Sequence, residues 1–323
     1  MESLLSNKNV VCKNKSKYEM INLDSLKIEE KHSKYKISIK DKKDKIIFST
    51  PLPNFIDNLK FISKGSYGKV YSLETKKEDK HYGLIFKVPI HYDIIDDDLE
   101  GIKLIQDYDI DCGIINARSI SLLPFQSITV MSVMNGDLNA LKGKISLHQL
   151  PSIMFSCLYC LHCLTSRGLG YLDIKLANFL FHCSNDEDFK IVLGDVGSIG
   201  KMGEKQISTY VPYEQRDISR TEFIITEESI VYLLGAMFLG IMDEREWKDS
   251  ISTTFYIRDD DYNPDNIQSE INQFLFNKNF HKISVKDKTL DLYFYDILNI
   301  DSSKRPSLET LLNIFTPPIR SVV

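Results

Sequence analysis

Four polar side chains carry the strongest chemical signal in the chain. Asp173, Lys175 and Asn178 fall within Tyr171-Leu172-Asp173-Ile174-Lys175-Leu176-Ala177-Asn178, and Asp195 follows in Gly194-Asp195-Val196-Gly197. A carboxylate in reach of a hydroxyl accepts its proton, and a lysine steadies negative charge that builds in a transition state. An amide oxygen and a second carboxylate are hard donors suited to Mg²⁺. Together the set fits metal-assisted transfer of a phosphoryl group to a hydroxyl.

Such groups work only if other elements hold them. Upstream, Ser63-Lys64-Gly65-Ser66-Tyr67-Gly68-Lys69-Val70 lies between two strand-like runs. It reads as a hairpin turn and not as the strand-to-helix loop of a dinucleotide or Walker site. Gly65 and Gly68 leave room for phosphate oxygens near the backbone, although the same pattern serves an ordinary glycine hairpin. Next comes Lys87 within Leu84-Ile85-Phe86-Lys87-Val88, placed either to bind an anion or on a solvated strand face. Glu100 is the one glutamate between Glu78 and Glu187. It falls in a helical run and is the expected ion-pair partner of Lys87, a solvated helix glutamate being the alternative.

Strand-like runs at about 59–62, 69–73, 83–89, 115–123 and 127–134, with a helix at about 94–108, precede helical runs at about 147–166, 224–242, 266–276, 287–299 and 307–315. A strand-rich half followed by a helix-rich half predicts an α+β fold with two lobes. Asn135-Gly136-Asp137 is a turn signal between the halves.

The 323 residues, 43% hydrophobic and 26% charged, make an ordinary globular composition with a formal charge of −5. Residues 1–50 hold twelve Lys against seven acids, +5, which leaves −10 on the remainder. Those lysines are mixed with acids and accompanied by no Arg, so residues 1–54 read as a solvated leader of partial order with a small hairpin at 35–48, and nucleic acid is not an expected partner. No apolar run of membrane-spanning length and no signal-peptide pattern is present, which predicts a soluble, cytoplasmic protein. Six cysteines, at 12, 112, 157, 160, 163 and 183, show no disulfide framework and fit a reducing compartment. Cys157, Cys160 and Cys163 have a spacing zinc could use, but they lie along one side of an apolar helix, which favours core packing.

From about residue 55 to 317 the chain resembles a eukaryotic-type Ser/Thr protein kinase. The resemblance rests on the Asp173, Lys175, Asn178 spacing, on Asp195-Val196-Gly197, on Val211-Pro212-Tyr213-Glu214, and on Asp301-Ser302-Ser303-Lys304-Arg305-Pro306. It implies a bilobal fold: residues 55–134 as a five-stranded antiparallel sheet with one helix, 135–317 as a mostly helical lobe, and 318–323 as a tail. It also implies Asp173 as catalytic base with Lys175 beside it, and Asn178 and Asp195 as Mg²⁺ ligands. ATP would be held by Ser63, Gly65, Gly68, Val70, Lys87, Glu100, Met131, Val133 and Asp137, with Val130 near the gatekeeper position. Asp137 is either a ribose contact or a helix N-cap. Glu214 is expected to pair with Arg305, and Ser208 or Thr209 lies where the class places a hydroxyl of the substrate loop.

The expected substrate is a protein Ser or Thr, with a regulatory protein as a further partner. The chain departs from the family pattern at Ser63, in place of the first loop glycine, and at Val196, in place of an aromatic; more consequentially, Tyr171 and Leu172 replace the His-Arg pair, and Ile230 replaces an aspartate that braces the catalytic loop. The last three motivate an alternative, a catalytically weak pseudokinase or scaffold that binds ATP and partner proteins. A small-molecule phosphotransferase of related fold is a third reading. The Lys, Asn and Ile richness fits a large DNA virus or an intracellular parasite, which would place the enzyme in host cytoplasm.

Overall fold

A computed structural model describes residues 18–19, 23, 27–31, 34–40, 46–51, 59–64, 68–77, 80–90, 97–123, 126–183, 189–207, 215, 222–243 and 264–317. Near the N-terminus, β1 (Tyr18–Glu19) precedes an antiparallel meander of β2 (Lys27–Lys31), β3 (Lys34–Lys40) and β4 (Ile46–Pro51). The expected hairpin at 35–48 is thus the β3–β4 half of a three-stranded unit.

The main sheet follows with β5 (Lys60–Lys64), β6 (Gly68–Lys77), β7 (Lys80–Pro89), β8 (Ala117–Leu123) and β9 (Gln126–Ser132). Its order is β5-β6-β7-β9-β8 and these five strands are antiparallel, as the sequence predicts. A sixth, unanticipated strand joins it: β1 pairs in parallel with β7, Tyr18 opposite His81. Helix α1 (Asp97–Asp107) connects β7 to β8.

Beyond β9 the chain becomes helical. Short strand β10 (Gly136–Asp137), helix α2 (Leu150–Thr165) and β11 (Leu169–Tyr171) lead to the hairpin β12 (Phe179–Cys183) and β13 (Phe189–Leu193). Then come β14 (Ile199–Lys201), β15 (Lys205–Ile207), β16 (Glu222–Ile224), α3 (Glu227–Met242), α4 (Pro264–Asn277), β17 (Ser284–Val285), β18 (Lys288–Thr289), α5 (Leu290–Ile297) and α6 (Leu308–Phe315). Helix α3 is apolar all round and buried from Ser229 to Met242, the signature of a helix at the centre of a core. Thr226 caps its start, accepting from Ser229 N at 3.2 Å. Among the described residues, no helix is long and apolar enough to cross a membrane.

Buried apolar side chains gather in two clusters. The larger fills the helical half and reaches back to Ile102, Ile110, Ile115 and Met131, and the smaller lies within the sheet as Leu23, Leu73, Leu84, Phe86, Ile120, Ile128 and Val130. Cys157 and Cys160 are buried in the larger cluster, as helical spacing predicts. Burial pushes the Cys160 thiol up to about 12, so it stays protonated and packs as a hydrophobe. The expectation of no disulfide fails at the third position of that row: Cys163 is bonded to Cys112, with Cα atoms 6.0 Å apart. The turn that follows α1 brings Cys112 back onto α2, a return that residue spacing along the chain does not encode. Gly113 in that turn has φ +68°, and a Cβ there would lie 2.6 Å from Cys160 Cα, so the turn needs glycine both for its conformation and for its closeness to α2.

Helix α1 meets the segment after Asp195 at van der Waals limits. A Cβ on Gly101 would fall 1.8 Å from Val196 O, and one on Gly197 would fall 2.7 Å from Asp98 Oδ1. Both obstacles lie at the contact itself, and the first is backbone, so relief requires α1 to move. Gly101→Ala should therefore lower the free energy of unfolding by about 3 kcal/mol or more, despite alanine's better helix propensity. Urea unfolding checks this, with Gly203→Ala as a comparison, since a Cβ there meets nothing within 4 Å but sits at φ +83°.

Candidate active site

The site forms where β7, α1, the loop after β11 and the turn after β13 converge. Lys87 lies on β7 opposite Val70 of β6 and Thr129 of β9. Its Nζ is 2.8 Å from Asp98 Oδ1 and 3.1 Å from Asp195 Oδ1. The three side chains are only 24%, 9% and 28% exposed. Burial acts to lower the Lys87 pKa, but the charges of Asp195 and Asp98 and their hydrogen bonds outweigh it and hold the ammonium above its ordinary value. Lys87 is a fixed cation at any working pH.

The partner of Lys87 is thus Asp98 and not Glu100, which is exposed. Helix geometry explains the correction. Residues 98, 101, 102 and 105 share one face at spacings of three and four, while Glu100 lies about 200° away from residue 98. Gly101 and Ile102 are buried on that same face.

Asp173 follows β11, and its carboxylate is held from two directions. Lys175 Nζ donates to Asp173 Oδ2 at 2.7 Å, and Asn178 Nδ2 donates to the same oxygen at 2.9 Å and to the Asp173 carbonyl at 2.8 Å. Oδ1 is buried and has no hydrogen-bond partner among the described residues. A buried oxygen without a donor is costly unless it is kept for an incoming one. Asn178 Nδ2 also donates to the Tyr171 hydroxyl at 2.6 Å. The amide's hydrogens are spent inside the loop, which leaves its oxygen as the group able to take a cation.

A backbone bond from Gly194 N to Asn178 O at 2.8 Å sets Asp195 beside Asn178. Gly194 has to be small, because a Cβ there would lie 2.6 Å from Leu180 Cδ1. The backbone segments that carry the two expected metal ligands are therefore adjacent. No group of three or more His, Cys, Asp or Glu among the described residues could hold a metal ion by itself. An amide oxygen and one carboxylate leave most positions of an octahedral ion to water or phosphate, the usual arrangement for Mg²⁺.

Tyr171 is fully buried in the position where the family pattern has histidine. Burial, then the charges of Asp195 and Asp173, push its phenol well above the ordinary value, and it is also hydrogen-bonded to Ser198.

The remaining predicted residues fall into place unevenly. Ser63 is the next-to-last residue of β5 and is exposed, Gly68 opens β6 where a Cβ would lie 3.1 Å from Val88 O, and Val70 is half-buried. Gly65 lies outside the described residues. Val130 is fully buried opposite Phe86, and Met131 lies opposite Ile85. Val133 is a correction: its N–H is already bonded to Gly83 O at 3.2 Å, continuing the β7–β9 ladder. The next residue, Met134, is half-buried, and its N–H has no backbone acceptor among the described residues. A backbone N–H left over at this strand end is therefore that of Met134 and not that of Val133. Asp137 acts as the N-cap of the turn 138–141, accepting from Asn139 N at 3.0 Å.

Ser208, Thr209 and Glu214 lie outside the described residues. Arg305 donates from Nε to Asn299 O and from Nη1 to Glu228 O, each at 2.8 Å, and lies over the Tyr232 ring at 4.6 Å. Beside Glu214, the buried Gln215 binds both backbone groups of Ile224, at 2.6 and 2.7 Å, and Ser229 Oγ at 2.9 Å. Sequence reasoning missed Asp98, Gln206 and Gln215. Only Asp98 left a signal, its place on the buried stripe of α1.

Compared with known proteins, the chain matches no family model and no curated protein.

The buried phenol gives a pH signature. Below about pH 10 the tyrosine is neutral in the folded and unfolded chain alike, so its hydrogen bonds contribute fully. Above that pH the unfolded phenol ionises and the buried one does not, so stability is lost as pH rises. Tyr171→Phe should cost about 1–2 kcal/mol at neutral pH. The gap to wild type should narrow above about pH 10, read from urea midpoints at pH 7 and pH 10.5.

Proposed function

We propose that the chain is a bilobal protein kinase that transfers the γ-phosphoryl group of Mg·ATP to Ser or Thr hydroxyls of a protein substrate. One observation carries the reading: a lysine from the sheet is held at once by an aspartate of α1 and by an aspartate beside the Asp173 loop. On this reading Lys87 is a phosphate-binding cation, Asp195 a metal-binding carboxylate and Asp173 the base, the three parts phosphoryl transfer needs.

In this mechanism Lys87 binds the α- and β-phosphates, fixed in place by Asp98. The Asp173 oxygen that lacks a donor, Oδ1, receives the proton of the substrate hydroxyl. As that O–H bond breaks, the hydroxyl oxygen forms its bond to the γ-phosphorus, and the bond to the ADP oxygen breaks. Lys175, already 2.7 Å from Asp173, offsets charge on the phosphoryl oxygens. Asn178 and Asp195 would hold Mg²⁺, which when bound neutralises the phosphates. Val70, opposite Lys87 on β6, and Ile85, two residues before it on β7, are half-buried and offer an apolar wall for adenine. Met134 supplies the backbone donor in place of Val133.

The test is transfer of labelled phosphate from Mg·ATP to a generic protein substrate. Asp173→Asn and Asp195→Asn should lower kcat by about 10²–10⁴-fold. Asp98→Asn should lower kcat/KM by about 10²-fold by misplacing Lys87, while Glu100→Gln leaves it unchanged. Equal rates in wild type and Asp195→Asn would sink the mechanism. A thermal shift with Mg·ATP and no transfer would move the assignment to an ATP-binding scaffold.

A further inference from the structure

Outside the phosphate and metal groups, one side chain bridges the two catalytic segments. Gln206 on β15 accepts from Leu172 N at 3.0 Å and donates from Nε2 to the carbonyl of Ser198. Leu172 directly precedes Asp173, and Ser198 stands three residues after Asp195. The Ser198 side chain is in turn hydrogen-bonded to Tyr171. The path closes on itself: Tyr171 to Ser198, Ser198 to Gln206, Gln206 to Leu172, and Leu172 back to Tyr171 through one peptide bond. The β11–β14 ladder, with Tyr171 opposite Ile199, brings the two sides of this ring together. Gln206 is itself held, since β15 pairs with β16 and Gln215 grips Ile224 there.

We propose that Gln206 is a positioning residue: its neutral amide fixes the segment that carries Asp195 against the loop that carries Asp173, with no added charge or covalent modification. The chemistry favours an amide at this point. The group has to donate to a carbonyl and accept from an N–H at the same time, which a carboxylate or an aliphatic chain of equal length cannot do. Leu172 takes part only through its backbone, so a side chain without polar groups suffices there. As to catalysis, the proposal rests on the kinase reading; as to loop order, it stands on geometry alone.

The experiment compares wild type, Gln206→Glu and Gln206→Leu by hydrogen exchange, together with steady-state phosphate transfer. Glutamate keeps the acceptor for Leu172 N but, when ionised, turns a negative oxygen toward Ser198 O. At pH 7.5 both variants should exchange about tenfold faster than wild type in peptides covering 169–175 and 196–200, a loss of about 1.4 kcal/mol of protection. At pH 5 the glutamate, its pKa raised by the carbonyl it faces, regains a donor and should return toward wild type, while the leucine variant stays fast. Where transfer is measurable, kcat should fall with KM for ATP little changed. Wild-type protection in both variants, or a glutamate defect that is the same at both pH values, overturns the proposal. Normal kcat in both variants overturns its catalytic part. The exchange pattern appearing in a protein that transfers no phosphate would leave the positioning role standing and remove the kinase reading.

Discussion

The Lys87 ammonium is shared by two carboxylates that arrive from distant parts of the chain, Asp98 on α1 and Asp195 after β13. Each anion alone would be a partly buried charge beside the other, and only the cation between them makes the pair tolerable. Deleting one partner of such a buried set is far more costly than the set's net worth, because it leaves charge uncompensated. Aspartate is a short side chain, so α1 has to lie close to β7 for Asp98 to reach the lysine. Gly101 and Gly197, where a Cβ would collide with Val196 O and Asp98 Oδ1, are what permit that approach. The ion triad and the two glycines are thus parts of one constraint, since neither is sterically or electrostatically acceptable without the other.

The same economy of charge governs the loop around Asp173. Ile230, at the position where a bracing aspartate is expected, is fully buried in α3 and lies under Gly170, whose added Cβ would come within 3.3 Å of Ile230 Cδ1. The loop therefore rests on apolar packing from below. Its polar support comes from the side, through Tyr171, Asn178 and Gln206. All three are neutral, which suits a buried setting in which Asp173 and Asp195 already supply negative charge. Replacing a charged brace by neutral hydrogen bonds avoids burying another ion.

Much of the architecture was legible in the sequence, because strand and helix periods differ and the runs were long. The five strands and α2, α3, α5 and α6 fall close to their expected bounds. The acids and amide of the site were legible too, since they sit in one short segment plus one triplet. What escaped was tertiary closeness. Nothing in the spacing of Cys112 and Cys163 indicates that a turn folds back onto α2, and nothing in Gln206 or Gln215 distinguishes them from surface amides. Glu100 was taken for Asp98 because the family's residue type was weighed over the helical face. Val133 came from aligning the turn after β9 with the family's hinge, an alignment that does not tell which of the strand's last N–H groups is still paired in the ladder.

The basic leader enters the argument through the small cluster inside the sheet. Leu23 is 1% exposed there, in one cluster with Leu84, Phe86 and Val130 of β7 and β9, the strands that also carry Lys87 and lead to the strand end at Met134. Burying a leucine is worth about 2 kcal/mol, a substantial share for a cluster of seven buried side chains. Strand β1 extends the β9 side of β7, and Tyr18 comes so close that a Cβ on Gly83 would lie 3.0 Å from its ring and 2.6 Å from Val133. The glycine at 83 is therefore required by a three-way meeting of leader, β7 and the end of β9. A segment that composition marks as solvated is, at Tyr18 and Leu23, part of the wall against which the site is built.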